Sequence, residues 1–435
     1  MRKYLIFLIC MLLCIDLVGC SKNADKKEIT IAMWEKIPTS SAINMYMQTF
    51  ERENNVKVNY EKIKAPTYEE YLKKLNTKLY LKNGPTLICI GVNNLYKTYI
   101  DRGVALEVKD KIPNIDKLYD NFKEKNIYYV PVGMICKVTE IDKDYLKELD
   151  LENIELNWTK QDYIKLKEKW LKLQPRPFNY RAYRDIVQYP LKNIDIFDSD
   201  TKDIKINADR IKKYIKKAKD QIFSENYALK KGYRYDKYID FIRKKTDGDI
   251  RKLWDLHYSI EDNLLIKSTE RENGLKFRNM YAQNTKDMIF LPNVMKNEYQ
   301  IKTWGFIVNR NGKNAELGCK FINGLLDDEQ QIDIYNDTVH GDFPVNKDIE
   351  EEIRKIEEER EIEDRFIKLK EYILDKFNKG EYKVYNSQDS KKVEFYNMLE
   401  EDLVKIIFDE KEYSDEELSR KLQRLEDKYN MWLTE

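Results

Sequence analysis

The alternation of strand and helix patterns near the start of the chain constrains its fold most strongly. Apolar and polar residues alternate over 29–33 and again over 56–60, which predicts two strands. Apolar residues at helical spacing follow each strand, over 43–50 and over 68–79. The run Leu87–Ile90 is apolar throughout, as in a parallel strand buried on both faces. This β-α-β-α-β order predicts an α/β fold with a doubly wound, mostly parallel sheet.

The first 20 residues have the layout of an export signal. Arg2 and Lys3 precede an apolar run over 4–15, which is too short to span a bilayer comfortably. The ending Leu17–Cys20 resembles the bacterial lipoprotein signal, in which the cysteine is diacylated after cleavage. We therefore expect a signal peptide over 1–19 and a lipidated tether over 20–27 that starts at Cys20. The alternative is a plain signal or anchor segment with an incidental cysteine.

Charge, cysteine and histidine content argue against several classes of partner. The chain has 78 basic and 77 acidic residues, so no basic excess favours nucleic acid. Cys89, Cys136 and Cys319 are widely spaced and odd in number, which predicts buried free thiols instead of a disulfide framework. With only His257 and His340, and no clustered Cys and His, we predict neither a metal site nor a cofactor.

Motifs of enzymes are absent from the sequence. It has no G-x-S-x-G elbow, P-loop or G-x-G-x-x-G, and its many carboxylates make acidic pairs uninformative. Asp247–Asp249 lacks the surrounding pattern of a calcium loop and is interpreted as a turn. We therefore predict no catalytic residue and a protein that is not an enzyme.

A series of short motifs extends over nearly the whole chain beyond the signal. Each is weak alone, whereas their order and spacing are specific. They are Ile29–Trp34, Phe50–Asn54, Tyr68–Leu75, Gly84–Leu87, Ile100–Leu106, Val130–Gly133, Asn157–Thr159, Trp304–Val308, Ala315–Leu326, Pro344–Lys347 and Ser414–Leu422. In this order they resemble the extracellular solute-binding proteins of ABC importers, of the maltodextrin- and oligosaccharide-binding type.

The resemblance implies a two-lobed, periplasmic-binding-protein-like fold with a ligand cleft between the lobes. Each lobe would be a doubly wound sheet flanked by helices, and two or three crossings would join them. We expect the first lobe to comprise 28–135 plus 303–338. The second lobe would then comprise 136–302 plus 339–435.

Candidate ligand contacts lie where the strands of such lobes end. Sugars offer C–H faces to aromatic rings and hydroxyls to carboxylates and amides. The candidates are Trp34 and Glu35 after the first strand, Asn93 and Asn94 after the third, Trp304 at the late crossing, and Trp254 and Tyr281 in the second lobe. The alternatives are lobe core for Trp34, a turn or helix cap for the asparagines, and hinge packing for Trp304.

The resemblance further implies a monomeric protein on the extracellular face of the membrane, held there by lipid on Cys20. It would capture a small solute, with carbohydrate favoured, and pass it to ABC permease subunits. One alternative is a binding lipoprotein that presents its ligand to a membrane sensor. Another is a surface hydrolase.

Overall fold

The computed structural model describes most of the chain from residue 27 onward. The described ranges are 27–66, 68–81, 83–92, 94–136, 138–148, 150, 153–173, 187–196, 204–222, 288–294, 301–337, 343–409 and 411–434. The expected signal and Cys20 lie outside them.

In the described ranges, eight strands form two sheets. The strands are β1 Lys27–Trp34, β2 Val56–Ile63, β3 Leu87–Ile90, β4 Tyr129–Cys136, β5 Val138–Asp142, β6 Met288–Pro292, β7 Ile301–Val308 and β8 Phe343–Pro344. The larger sheet has the order β2-β1-β3-β7-β4-β8, and β5 pairs with β6. Strands β1 to β3 are mutually parallel, and β4 runs the same way because both β3 and β4 are antiparallel to β7. The predicted α/β fold with a mostly parallel sheet is confirmed.

Thirteen helices are present in the described part of the chain. They are α1 Ser41–Asn54, α2 Tyr68–Leu79, α3 Lys97–Asp101, α4 Lys143–Glu148, α5 Lys160–Leu173, α6 Tyr189–Lys192, α7 Asp209–Ile222, α8 Ala315–Leu325, α9 Asp328–Asn336, α10 Glu350–Glu359, α11 Asp364–Asn378, α12 Ser390–Ile407 and α13 Asp415–Thr434.

Helix α1 shows why the early pattern is readable from sequence. The Oγ atom of Ser40 accepts from the Ile43 amide at 3.2 Å and caps the first turn. Met47 and Phe50 are buried on the same face as Ile43. Asn55 adopts the left-handed conformation, with φ of 49°, and ends the helix.

Both faces of the larger sheet are covered, as a doubly wound fold requires. Ile31 and Phe306 belong to a core shared with α1, α8 and α9. Ala32 and Ile307, one position along each strand, belong to a second core shared with α2 and the α3 region. Successive side chains of a strand point to opposite faces of the sheet, so each strand contributes residues to both cores.

Apolar residues recur every three or four positions over 349–377, which predicts one amphipathic helix, but the segment is divided in two. It forms α10 and α11, because Glu361 takes a left-handed conformation with φ of 51° between them. Apolar residues of both helices, such as Ile353 and Phe366, join the same core as Ile31. Inside this pair Glu357 is fully buried, and Lys370 is 8% exposed.

Two further apolar clusters lie apart from the larger sheet. Strands β5 and β6 pack with α4 and α5, where Trp158 Nε1 donates to the Pro292 carbonyl at 2.7 Å. Helices α6, α7, α12 and α13 form the other cluster. Within it, the Asp402 carboxylate on α12 accepts from Lys428 Nζ at 2.6 Å and from the Tyr429 hydroxyl at 2.9 Å, which ties α12 to α13.

Candidate functional site

The strand register brings three predicted positions to one edge of the larger sheet. Strand β1 ends at Trp34, beside the end of β3 at Ile90. Ile90 pairs with Gly305 of β7, so Trp304 lies one step beyond the end of β3. The loop that carries Asn94 leaves β3 at the same edge. This is the edge formed by the carboxyl ends of the parallel strands, where ligands bind in such folds.

Trp34 is half-buried and packs against the residues that follow β2 and against α2. Its Nε1 donates to the Ala65 carbonyl at 2.9 Å, and its ring stacks on Tyr71 with centroids 6.2 Å apart. Lys36 Nζ lies 5.2 Å from the centre of the Trp34 ring. The indole is therefore held rigidly at the sheet edge.

Glu35 is exposed beside Trp34. One of its carboxylate oxygens accepts from the Ala65 amide at 3.0 Å. Ala65, which follows β2, thus fixes the ring through its carbonyl and the acid through its amide, so the pair has a defined orientation.

Asn94 forms a turn with its own loop. Its Oδ1 accepts from the Gly91 amide at 3.0 Å, and its amide donates to the Gly91 carbonyl at 2.9 Å. The sequence predicts a short helix over 94–101, but the helix begins three residues later, at Lys97, because Asn94 closes this turn. The turn that was the alternative interpretation of Asn94 is present.

Trp304 is half-buried on β7, where its ring lies perpendicular to that of Phe306 with centroids 6.3 Å apart. Its neighbour Thr303 is fully buried and accepts from the Tyr129 hydroxyl at 3.0 Å. This bond ties the start of β7 to β4.

Asn386 is a residue of this edge that the sequence did not reveal. It is fully buried, and its side chain contacts the start of β7 and the loop after β3. An isolated Asn between Tyr385 and Ser387 gives no sequence signal, because its partners are far away along the chain.

Several predicted residues lie outside the described ranges: Asn93, Trp254, Tyr281, His257, His340 and Asp247–Asp249. Among the residues that are described, no three His, Cys, Asp or Glu side chains come together as a metal site would need. In that same part of the chain, no helix has the length and apolar character needed to cross a membrane.

The three cysteines outside the N-terminal segment are buried and unpaired, as predicted. Burial raises the pKa of the Cys89 thiol and of the Cys136 thiol to about 12. Both groups therefore remain protonated at neutral pH and act as small apolar residues.

A cavity of about 290 Å³ lies on one side of the chain segment between α11 and α12. Its wall includes Tyr96 and Tyr129, whose rings stack with centroids 4.5 Å apart, together with Tyr382 and Ser387. Burial and the nearby Glu124 carboxylate raise the pKa of the Tyr96 hydroxyl, which lies 3.2 Å from that carboxylate. None of the described candidate ligand residues lines this cavity, so it is distinct from the strand edge.

Solved structures share this fold at low sequence identity. An ABC substrate-binding protein from Listeria monocytogenes, in complex with cycloalternan, matches with a TM-score of 0.54 at 16% identity, over 94% of this chain and 100% of that one. A putative oligosaccharide-binding protein from Synechococcus, in complex with zinc, matches with a TM-score of 0.58 at 11% identity, over 93% and 99%. An ABC transporter solute-binding protein from Agrobacterium radiobacter, in complex with ribitol, matches with a TM-score of 0.56 at 14% identity, over 94% and 99%.

At such low identity, these structural similarities establish only the fold, which is that of two-lobed periplasmic binding proteins. No individually curated protein is significantly similar to the chain in sequence. The model of a family of binding proteins matches residues 45–362, which is most of the chain. The chain therefore belongs to the bacterial extracellular solute-binding protein family.

Proposed function

We propose that this protein is the substrate-binding lipoprotein of an ABC importer, and that it captures a carbohydrate or polyol by closure of two lobes. Lipid on Cys20 holds it at the outer face of the membrane, where permease subunits receive the solute. The observation that carries the proposal is the meeting of Trp34, Glu35, the Asn94 loop and Trp304 at one sheet edge.

The chemistry of this edge suits a polyhydroxylated ligand. Two indoles offer apolar ring surface, and the exposed Glu35 carboxylate is a hydrogen-bond acceptor for hydroxyls. The β2–β1 contacts at Ala65 hold Trp34 and Glu35 in place, so little side-chain entropy is lost when a ligand binds.

The two lobes are proposed to be 28–135 plus 303–338 and 136–302 plus 339–435. Because β8, α10 and α11 pack with the larger sheet, they would move with the first lobe. Closure follows from differential affinity, since a ligand that contacts both lobes only in the closed state shifts the population toward it. The proteins named above with cycloalternan and ribitol support the ligand class. The family and these similar structures are binding proteins, which favours a carrier over a surface hydrolase.

A thermal-shift screen tests the capture of a solute. The full chain, expressed and processed in a bacterial host, is heated with ribitol, cycloalternan, monosaccharides and maltooligosaccharides. A ligand present at 100 times its dissociation constant adds about 2.7 kcal/mol to the stability of the folded state, which raises the melting temperature. No shift with any saccharide or polyol would overturn the ligand class.

A pair of tryptophan variants tests the position of the site. Trp34→Phe and Trp158→Phe each remove an indole hydrogen bond to a backbone carbonyl, of 2.9 Å and 2.7 Å. We expect Trp34→Phe to weaken the ligand-induced shift, whereas Trp158→Phe keeps it. Equal shifts in both variants would exclude Trp34 from the site.

The anchor is tested separately by Cys20→Ala. Without the thiol the chain cannot be lipidated, so we expect the protein in the soluble fraction of cells or in the medium. A variant that stays with the membrane would refute the lipid anchor.

Permease genes beside the gene would favour import, and a histidine kinase gene would favour the sensor alternative.

A further inference from the structure

The segment from Tyr382 to Gln388 connects two separately packed parts of the chain. It leaves α11, which packs in the core of the larger sheet, and enters α12, which packs with α7 and α13. Between them the Lys383 carbonyl accepts from the Ile301 amide at 3.2 Å, so the segment runs along the start of β7. A movement of the α12 cluster relative to the sheet would therefore bend this segment.

Asn386 fixes the segment to β7. Its Oδ1 accepts from the Thr303 amide at 2.8 Å and from the Thr303 hydroxyl at 3.2 Å. Thr303 precedes Trp304, so this contact lies directly beside a candidate ligand residue.

The same side chain fixes the loop after β3. Its Nδ2 donates to the Gly91 carbonyl at 3.2 Å and to the Asn94 carbonyl at 2.7 Å. The Asn386 carbonyl accepts from the Tyr96 amide at 3.3 Å. Both ends of the turn that carries Asn94 are therefore attached to the segment between α11 and α12.

The amide of Asn386 is 0% exposed, and each of its two polar atoms has two protein partners. Breaking one hydrogen bond of a buried, fully satisfied network leaves polar groups without water or partners. The hydrogen bonds of Asn386 are therefore expected to break together or to remain intact together. The three pieces that it joins belong to the sheet edge and to the connection that lobe closure would have to bend.

We propose that Asn386 is a positioning residue of the ligand site, which makes the Asn94 loop and the start of β7 follow the α11–α12 connection when the lobes close. The role of Asn386 toward a ligand rests on the proposed function. The mechanical link itself does not, and it can be measured in the unliganded protein.

Amide hydrogen exchange of the full chain, with and without Asn386→Asp, tests the link. Aspartate keeps an acceptor for Thr303 but loses both donors and places a charge against the Gly91 and Asn94 carbonyls. We expect the amides of Asn94 and Tyr96 to exchange at least about tenfold faster, with the Thr303 amide much less affected. Asn386→Ala, which loses both sides, should speed exchange at all three.

Asn309 provides a matched control. It is also 0% exposed and lies at the other end of β7, where its Nδ2 donates to the Pro85 carbonyl at 3.0 Å and its Oδ1 accepts from the Asn311 amide at 3.1 Å. Asn309→Ala should leave the amides of Tyr96 and Thr303 protected. Equal acceleration in the Asn309 and Asn386 variants would mean general loosening and would overturn the proposal.

The wild-type protein gives a test that needs no variant. The amides of Tyr96 and Thr303 are distant in sequence, and if Asn386 joins them they should open together, with the same dependence on urea. Different dependences would overturn the link.

Binding separates this proposal from the proposed function. If ribitol stabilises the wild type, Asn386→Asp should weaken that binding at least about tenfold while Asn309→Ala does not, because only the former frees the Asn94 loop. Unchanged ribitol affinity in Asn386→Asp overturns the positioning role. If no saccharide or polyol stabilises the wild type, the proposed function fails, and the exchange pattern alone decides whether Asn386 forms the link.

Discussion

The buried ion pair between α10 and α11 allows a quantitative prediction. Glu357 is 0% exposed, and its carboxylate bonds the Lys370 ammonium and accepts from the Tyr335 hydroxyl at 3.1 Å. Glu357→Gln keeps the shape and an acceptor for Tyr335 but removes the charge. Lys370 then lies buried without a counter-ion, which typically costs about 3–5 kcal/mol.

A limit on this cost comes from proton loss. Removing the proton from an ordinary lysine side chain at pH 7 costs about 4–5 kcal/mol. The loss of folding stability in Glu357→Gln therefore cannot exceed that value by much. With a urea m-value of about 3 kcal/mol/M, the midpoint of unfolding should fall by about 1–1.5 M.

Urea unfolding followed by circular dichroism measures the effect, and α10 supplies the control. Glu351 and Lys355 form an exposed pair on the same helix, with Nζ and Oε1 3.1 Å apart. Glu351→Gln should leave the midpoint nearly unchanged, since solvent screens exposed pairs. Equal midpoint shifts for Glu357→Gln and Glu351→Gln would show that burial of the ion pair does not matter. If replacing Lys370 by Met in the Glu357→Gln background recovered no stability, the unpaired charge would not be the cause of the loss.

Three further predictions concern other parts of the fold. Burial acts to raise the pKa of Asp402, but its hydrogen bonds outweigh this and lower it, so Asp402→Asn should cost about 1–3 kcal/mol at pH 7. Because the folded pKa lies below the unfolded one, this contribution is present above about pH 4 and is lost as the pH falls further, so the difference between variant and wild type should shrink in acid. A Cβ at Gly324 would lie 2.2 Å from the Tyr46 hydroxyl oxygen, so Gly324→Ala should cost about 1–3 kcal/mol, and Tyr46→Phe should cost less in that background than in wild type. Cys89 and Cys136 should resist iodoacetamide at pH 8 in the folded protein and react once it is unfolded.

Each of these has a clear contrary result. A constant difference between Asp402→Asn and wild type from pH 7 down to pH 3 would show that the carboxylate charge does not contribute. Additive costs for Gly324→Ala and Tyr46→Phe would mean that the two side chains do not meet. Rapid labelling of the folded chain at the two buried thiols would contradict their burial.

Features set by neighbouring residues were predictable from the sequence. Helix α1 follows from the Ser40 cap, the Ile43 and Phe50 face and the Asn55 stop, all of which lie within one short stretch. The four consecutive apolar residues of β3 correctly indicated a strand buried on both faces, although it is parallel to β1 and antiparallel to β7.

Features set by distant contacts were not predictable in this way. The insertion of β7 between β3 and β4 depends on pairings such as Leu87 with Val308, which leave no local pattern. Asn386 acts through Thr303 and the loop after β3, and a buried asparagine looks like a surface one in a sequence. The break between α10 and α11 depends on one left-handed residue, Glu361, in a stretch whose apolar spacing continues through it.

The place of β7 in the sheet also bears on how the chain is made and exported. Strands β3 and β4 each pair with β7 and not with each other, so the middle of the sheet stays open until β7, which begins at residue 301, has been made. Pairings between such distant segments close slowly, because a long loop has to be ordered first. The export proposed above would gain time from this arrangement, since the earliest strands cannot complete the sheet before the β7 segment has followed them across the membrane.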